Sequence, residues 1–306
     1  MSLTRWNDVH VLTGPTASGK TAVGLELAER LGAEIISMDS MAVYRDMDIG
    51  TAKPTLQECA RVRHHLVDVR RPSEQATVAW WLTAAHQAVA DIRARGQRIL
   101  FVGGTPLYLK ALLRGLFPGP AADVAVRQQL ATLSNAEIRA ELQRVDPTSA
   151  ERLHANDRKR LLRALEVWKQ TGKPMSTWQT QFDKPLQLGR PGLWLDWPRA
   201  ELHRRINTRV EVMLAGGLLE ECKALSTLEQ PLCLEAQGAA GYAEAFATLD
   251  GELTMEEARV AIQARTRQLA KRQVTWFRHL EELRPLAVTV DDTPATLAEK
   301  ALTIWR

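Results

Sequence analysis

Apolar and polar positions along this chain follow two alternating periods. Residues 9–12 form a short apolar run that ends in a glycine-rich turn at 14–20, and residues 21–31 then repeat with a period near 3.6. A strand, a turn and an amphipathic helix are expected in that order. Gly32 closes the helix. Residues 34–38 read as a second strand that stops at Asp39, and 65–69 as a third, before a helical stretch over 77–95 that Gly96 ends. Arg98-Ile99-Leu100-Phe101-Val102 is the continuous apolar run of a strand buried on both faces. Gly103-Gly104-Thr105 and another helix follow it. Strands alternating with helices imply a parallel α/β sheet.

Beyond residue 116 the pattern changes. Pro118, Pro120, Pro147, Pro174, Pro185 and Pro191 break 117–198 into short helical segments, so this stretch reads as an inserted all-helical domain, with 1–116 and 199–306 as the core. Residues 198–217 are one amphipathic helix ending at paired glycines, and Thr254-Met255-Glu256-Glu257 is a capping box that opens a long helix toward His279. Residues 286–290 read as one more strand. No internal repeat is visible, and the last fifteen residues carry no signal.

With 306 residues, 45% hydrophobic and 25% charged, the composition is that of an ordinary globular protein and excludes a disordered or collagen-like chain. No run of about 18 apolar residues is present, and the opening MSLTRWNDVH lacks the apolar region of a secretory signal. A cytoplasmic monomer with no membrane contact is expected. Cys59, Cys222 and Cys233 are scattered and never paired as CxxC, which supports neither a disulfide framework nor a cysteine zinc site. His64 and His65 are adjacent on an expected strand and would point to opposite faces, so a shared metal is not expected.

The net charge of +4 says little, but its distribution says more. Residues 258–278 hold six bases (Arg259, Arg265, Arg267, Lys271, Arg272 and Arg278) and no acid, where a merely solvated helix face usually interleaves both signs. Residues 124–173 carry ten bases against six acids. Both stretches suit a phosphate-rich partner, although Leu161, Leu165 and Trp168 among them also read as core. Trp80 and Trp81 fall in a helical pattern as core, while Trp276, beside the basic helix, could stack on a nucleotide.

Gly14-Pro15-Thr16-Ala17-Ser18-Gly19-Lys20-Thr21 is GxxxxGKT. Between a strand and a helix it places backbone N–H groups around an anion, with Lys20 as a point charge and the Thr21 hydroxyl available to Mg²⁺. These eight residues are the candidate diphosphate-binding loop, and the expected fold is a P-loop NTPase-like parallel sheet flanked by helices. Nucleoside triphosphates and allylic diphosphates present the same oxygens to such a loop, so the rest of the site must decide. A hydrolytic P-loop protein keeps an acid at the end of an apolar strand, yet here the best strand runs into Gly103-Gly104-Thr105. The strand-end acid is Asp39, near the carboxyl edge where ligands bind. It either serves as a general base for an acceptor or caps a helix over 40–47.

Residues 39–44 (Asp-Ser-Met-Ala-Val-Tyr), 47–54 (Met-Asp-Ile-Gly-Thr-Ala-Lys-Pro), 102–105 (Val-Gly-Gly-Thr) and 267–273 (Arg-Gln-Leu-Ala-Lys-Arg-Gln) closely resemble the tRNA dimethylallyltransferases, as does 146–174 in the insertion. That resemblance covers nearly all of residues 8–280. It implies transfer of a dimethylallyl group from dimethylallyl diphosphate to N6 of adenosine 37, just 3′ of the anticodon in tRNA, with Mg²⁺ and without ATP hydrolysis. Asp39 would then be the base, assisted by Thr105, with Lys20 stabilising the leaving diphosphate. Ser40, Met41 and Ala42 would meet the RNA beside them, and the anticodon stem-loop would rest on Arg127, Lys159, Arg160, Leu161, Leu162, Arg163, Lys271 and Arg272. The adenine must leave its stack to react, so a channel is expected between the sheet's carboxyl edge and the insertion. Two positions depart from the family pattern: Ala42 stands where many members carry Gln, and Ala243 where a Lys is usual. The residues alone leave two alternatives open, a small-molecule P-loop kinase and an NTP-gated RNA-binding switch.

Overall fold

A computed structural model describes residues 6–117, 119–178 and 188–306; Pro118 and Pro185, two of the prolines noted above, lie outside them. Strands β1 (Val9–Thr13), β2 (Ala33–Ser37), β3 (His64–His65), β4 (Arg98–Gly103), β5 (Gly192–Asp196) and β6 (Leu283–Ala287) form one parallel sheet in the order β3-β2-β4-β1-β5-β6. Parallel pairing demands cover on both faces, and the period of two supplies it. Val9, Val11, Ile36, Ile99 and Phe101 pack on one face with Trp81 and Leu109, while Leu12, Ile35, Leu100, Val102, Leu193 and Leu195 pack on the other with Leu27 and Trp305. The helices Val78–Ala94 and Pro106–Arg114 cover the first face, and Lys20–Leu31 and Pro294–Trp305 the second.

The chain divides into two compact units, residues 1–113 with 186–306, and 114–185. Sequence patterning placed the second boundary at 198, and the structure moves it. Residues 192–196 are not insertion but β5, paired on one side to β1 and on the other to β6. The third strand is also shorter than 65–69, because Leu66 (φ 63°) and Asp68 (φ 56°) turn left-handed and end the ladder after His65. β6 begins at Leu283 and includes Pro285, tolerable because β6 is an edge strand and its missing N–H faces no neighbour.

The smaller unit is helical, built from Val124–Ala131, Asn135–Val145, Pro147–Arg152, Arg158–Thr171 and Met175–Trp178 around Leu130, Ile138, Leu142, Leu161 and Leu165. Inside it the Glu166 carboxylate, 1% exposed, accepts from Arg163 Nη1 at 2.8 Å, Asp123 N–H at 2.9 Å and Arg127 Nε at 3.0 Å. Burial pushes Glu166 up, but these donors outweigh it and hold the carboxyl below its ordinary value. No helix among the described residues is long and apolar enough to cross a membrane.

Candidate active site

The phosphate loop leaves β1 at Thr13, whose hydroxyl donates to the Gly103 carbonyl at 2.7 Å and so ties the ends of β1 and β4 together. Three consecutive loop residues are then held from three directions. Thr16 N–H donates to Gln273 Oε1 at 2.9 Å, the Ala17 carbonyl accepts from Arg205 Nε at 2.9 Å, and the Ser18 carbonyl accepts from Trp197 Nε1 at 2.8 Å. Arg205 in turn stacks over the Trp197 ring at 4.5 Å. Gly19 has φ +84°, a left-handed conformation that favours glycine and lets the helix Lys20–Leu31 start directly beneath the loop. That helix has no side-chain cap, leaving its first N–H groups and its dipole for an anion.

Lys20, Thr21, Asp39 and Thr105 line one cleft of about 240 Å³, so the structure brings together every residue expected at the reacting centre. Segment 40–47 contains no helix; Asp39 is neither a helix cap nor idle. Its Oδ1 accepts from the Met41 and Ala42 N–H groups at 2.9 and 3.3 Å, an Asx turn that fixes the carboxylate. Across from it, Thr105 Oγ1 accepts from Ser40 N–H at 2.9 Å and donates to Ser40 Oγ at 3.3 Å. Trp81 Nε1 donates to the Ser37 carbonyl at 3.0 Å and anchors the strand end just before this turn.

The charged groups of the cleft act on one another. Burial pushes Lys20 down to about 8, the Asp39 carboxylate opposes that shift, and Arg209 adds to it. Arg209, lowered by burial and raised by Asp39, donates to the Thr51 carbonyl at 3.1 Å. It was not singled out from the sequence, although Arg205 and Arg209 stand four apart on the helix Arg199–Ala215, the spacing of one helix face. A second cavity, of about 700 Å³, reaches Lys20, Thr21 and Arg209 from the side of Arg204 and Arg205.

Residues 50–54 also line the cleft. Glu221 grips the start of this segment by accepting from the Asp48 and Ile49 N–H groups, both at 2.8 Å, and from Tyr242 OH at 2.6 Å. Gly50 is required there, since a Cβ would lie 2.4 Å from the Tyr242 ring. Lys53 is consumed structurally, donating to the Tyr44 carbonyl and Asp48 at 2.6 Å and pairing with Asp68. At Ala243 the chain offers no charge, and the neighbouring Glu244 instead pairs with Arg265 at 2.9 Å. Among the described residues no cluster of three or more His, Cys, Asp or Glu could hold a metal. His64 bonds the Val62 carbonyl and His65 bonds Glu34, each separately.

The residues expected on the RNA divide into three groups. Lys271 and Arg272 are exposed on the helix Met255–Arg278, as are Lys159 and Arg160 on Arg158–Thr171, with Arg160 3.2 Å from Asp157. Arg127 and Arg163 are tied to Glu166, and Leu162 is half-buried. Leu161 must be withdrawn: it is fully buried in the helical core, where its side chain cannot touch RNA. The stretch without acids is also less bare in space than in sequence, because Arg259 pairs with Glu211 and Glu256, Arg265 with Glu244, and Arg267 with Asn207. Trp81 is core as expected; Trp80 lies under Arg70 at 4.3 Å and Trp276 near Lys110 at 5.7 Å.

A family model described as IPP transferase matches residues 42–280. The tRNA dimethylallyltransferase of Geobacter metallireducens is 45% identical over 280 residues, covering 89% of this chain and 90% of its own length. That of Rhodopirellula baltica is 44% identical over 302 residues, covering 94% and 90%. Among solved structures, the full-length tRNA isopentenylpyrophosphate transferase from Bacillus halodurans aligns with a TM-score of 0.71 at 36% identity, over 97% of this chain and 95% of that one. A eukaryotic dimethylallyltransferase acting on tRNA aligns with a TM-score of 0.76 at 30% identity, over 92% and 74%. With the family model spanning most of its length and relatives this similar along nearly all of it, the chain belongs to the IPP transferase family, that of the tRNA dimethylallyltransferases.

Proposed function

We propose that this chain transfers a dimethylallyl group from dimethylallyl diphosphate to N6 of adenosine 37, 3′ of the anticodon of tRNA, and releases diphosphate. Family membership makes it a tRNA prenyltransferase and sets aside the kinase and switch alternatives. The residue roles rest on one observation. An anion cradle with Lys20 and Arg209 opens into the same cleft as a carboxylate fixed by its own turn.

In the reaction, the carbon–oxygen bond to diphosphate breaks as the carbon–N6 bond forms, and the electron pair leaves with the diphosphate. The loop 14–21, Lys20 and Arg209 face the charge that builds on those oxygens and are set before it appears, which is where preorganised donors lower a barrier most. Asp39 takes the proton that N6 must lose. Its Oδ1 is held by two backbone N–H groups, which aims the carboxylate. Thr105, tied to Ser40, closes the other side of the acceptor position.

The donor set suits Mg²⁺ bound mainly through phosphate oxygens and water. The Thr21 hydroxyl lines the cleft beside the cradle and no carboxylate cage is present among the described residues. When bound, the ion would neutralise diphosphate charge. Lys159, Arg160, Lys271 and Arg272 are exposed cations available to the tRNA backbone. Incubating unmodified tRNA with dimethylallyl diphosphate and Mg²⁺, then analysing nucleosides by mass, tests the proposal. One five-carbon unit on the adenosine 3′ of the anticodon is expected, and unaltered tRNA refutes it.

A further inference from the structure

The helix Met255–Arg278 delivers one buried amide to the wall of the cleft. Gln273 Oε1 accepts from Thr16 N–H at 2.9 Å, and its Nε2 donates to the Gly104 carbonyl at 2.7 Å. Both partners are backbone groups of fixed polarity, so a single orientation of the amide satisfies both. Gln273 is 6% exposed, and a Cβ on Gly104 would sit 2.9 Å from Nε2, so the site is closed around this contact. One turn earlier, Ala270 is buried in one apolar cluster with Ala17 of the phosphate loop, Leu202 and Ile206. No other described side chain hydrogen-bonds both the phosphate loop and the 103–105 turn.

We propose that Gln273 is a positioning residue for prenyl transfer. It fixes the spacing between the loop that holds the leaving group and the turn that carries Thr105, and it removes the Thr16 N–H from the donors open to the anion. The reaction requires the leaving oxygen, the transferred carbon and N6 to lie in line. Leaving group and acceptor are held by different loops, each rich in glycine, and a drift of about 1 Å between such parts costs roughly a hundredfold in rate. The amide is the strut that prevents the drift. This inference rests on the reading that the donor's diphosphate occupies the loop 14–21.

Two full-length variants test it with tRNA and dimethylallyl diphosphate. Gln273→Met keeps the length and loses both bonds; kcat should fall at least tenfold with KM for tRNA unchanged. In Gln273→Glu the ionised carboxylate still accepts from Thr16 but confronts the Gly104 carbonyl, whereas the protonated acid donates to that carbonyl and rebuilds the pair. The kcat of Gln273→Glu relative to wild type should therefore rise as pH is lowered, while the relative kcat of Gln273→Met stays flat. A packing role alone would leave both ratios flat. Wild-type kcat in Gln273→Met, or a flat ratio for Gln273→Glu, overturns the proposal; if Gln273→Met does not fold, the Gln273→Glu ratio decides alone. The wild-type enzyme in the same assay separates the two readings. If it transfers nothing from dimethylallyl diphosphate, the donor assignment fails, and if it transfers normally beside flat ratios, only the assignment of Gln273 fails.

Discussion

Replacing Asp39 by Asn separates the two things that its carboxylate does. The amide oxygen of Asn can still accept from the Met41 and Ala42 N–H groups, so the turn after β2 survives. What disappears is the base and one negative charge facing Lys20 and Arg209. Loss of a positioned general base typically costs about 10²–10⁴ in rate, or about 3–5 kcal/mol of barrier. Donor binding should not suffer, because removing a negative charge from a cleft that receives a diphosphate cannot weaken its hold on that anion. Single-turnover transfer with tRNA prebound should therefore slow by at least a hundredfold while KM for dimethylallyl diphosphate stays the same or falls. Asp39→Ala loses the turn as well, and the difference between the two variants measures the turn's share. A transfer rate within about threefold of wild type in Asp39→Asn would show that the carboxylate is not the base.

Other outcomes follow from the same geometry. Lys20 is pushed down to about 8, and an anionic donor binds its charged form; donor affinity should be greatest near pH 7 and weaken as pH rises through 8, read by titration calorimetry, and a constant affinity from pH 7 to about pH 9.5 would refute this. Replacing Lys271 and Arg272 together by Ala should weaken tRNA binding and reduce its dependence on salt by about two charges; an unchanged slope assigns that helix to structure alone. Glu166→Gln removes a buried charge between Arg163 and Arg127 and should cost about 3 kcal/mol in urea unfolding. Because the Glu166 pKa is lowered on folding, its contribution is present above the ordinary Glu value of about 4.5 and is lost as pH falls through the lowered one, so wild type and variant should converge in acid.

The parts of the fold legible in the sequence are those fixed by neighbours along the chain. The strand, loop and helix over 9–31 and the capping box at Thr254, with Glu257 Oε2 accepting from Thr254 N–H at 2.8 Å, need no distant partner to form. β5 was invisible for the opposite reason. The six residues between Pro191 and Pro198 carry too little period to declare themselves, and five of them become a strand only by pairing with β1 and β6, which lie far away in sequence. Residues 65–69 failed in reverse: an apolar alternation that suits a strand was overridden by left-handed turns at Leu66 and Asp68. The candidate site divides the same way. Lys20, Thr21, Asp39 and Thr105 each sit in a local motif, whereas Arg209 and Gln273 gain their meaning only once two helices meet the cleft. Charge misled where pairing was distant, since the partners of Arg265 and Arg267 come from other segments.

The phosphate loop shows what those distant contacts accomplish. A loop with glycines at 14 and 19 is entropically costly to order, and an anion that had to organise it would lose affinity in doing so. Gln273, Arg205 and Trp197 order residues 16, 17 and 18 in succession before any ligand arrives. The peptide plane makes this specific. With the Ser18 carbonyl turned to Trp197, the Gly19 N–H of the same trans peptide must point the other way. Each anchor is thus also an instruction about where a donor faces. Electrostatic catalysis needs donors that do not move as charge develops, so the residues that never touch the reacting atoms set how much of the barrier the cradle can remove.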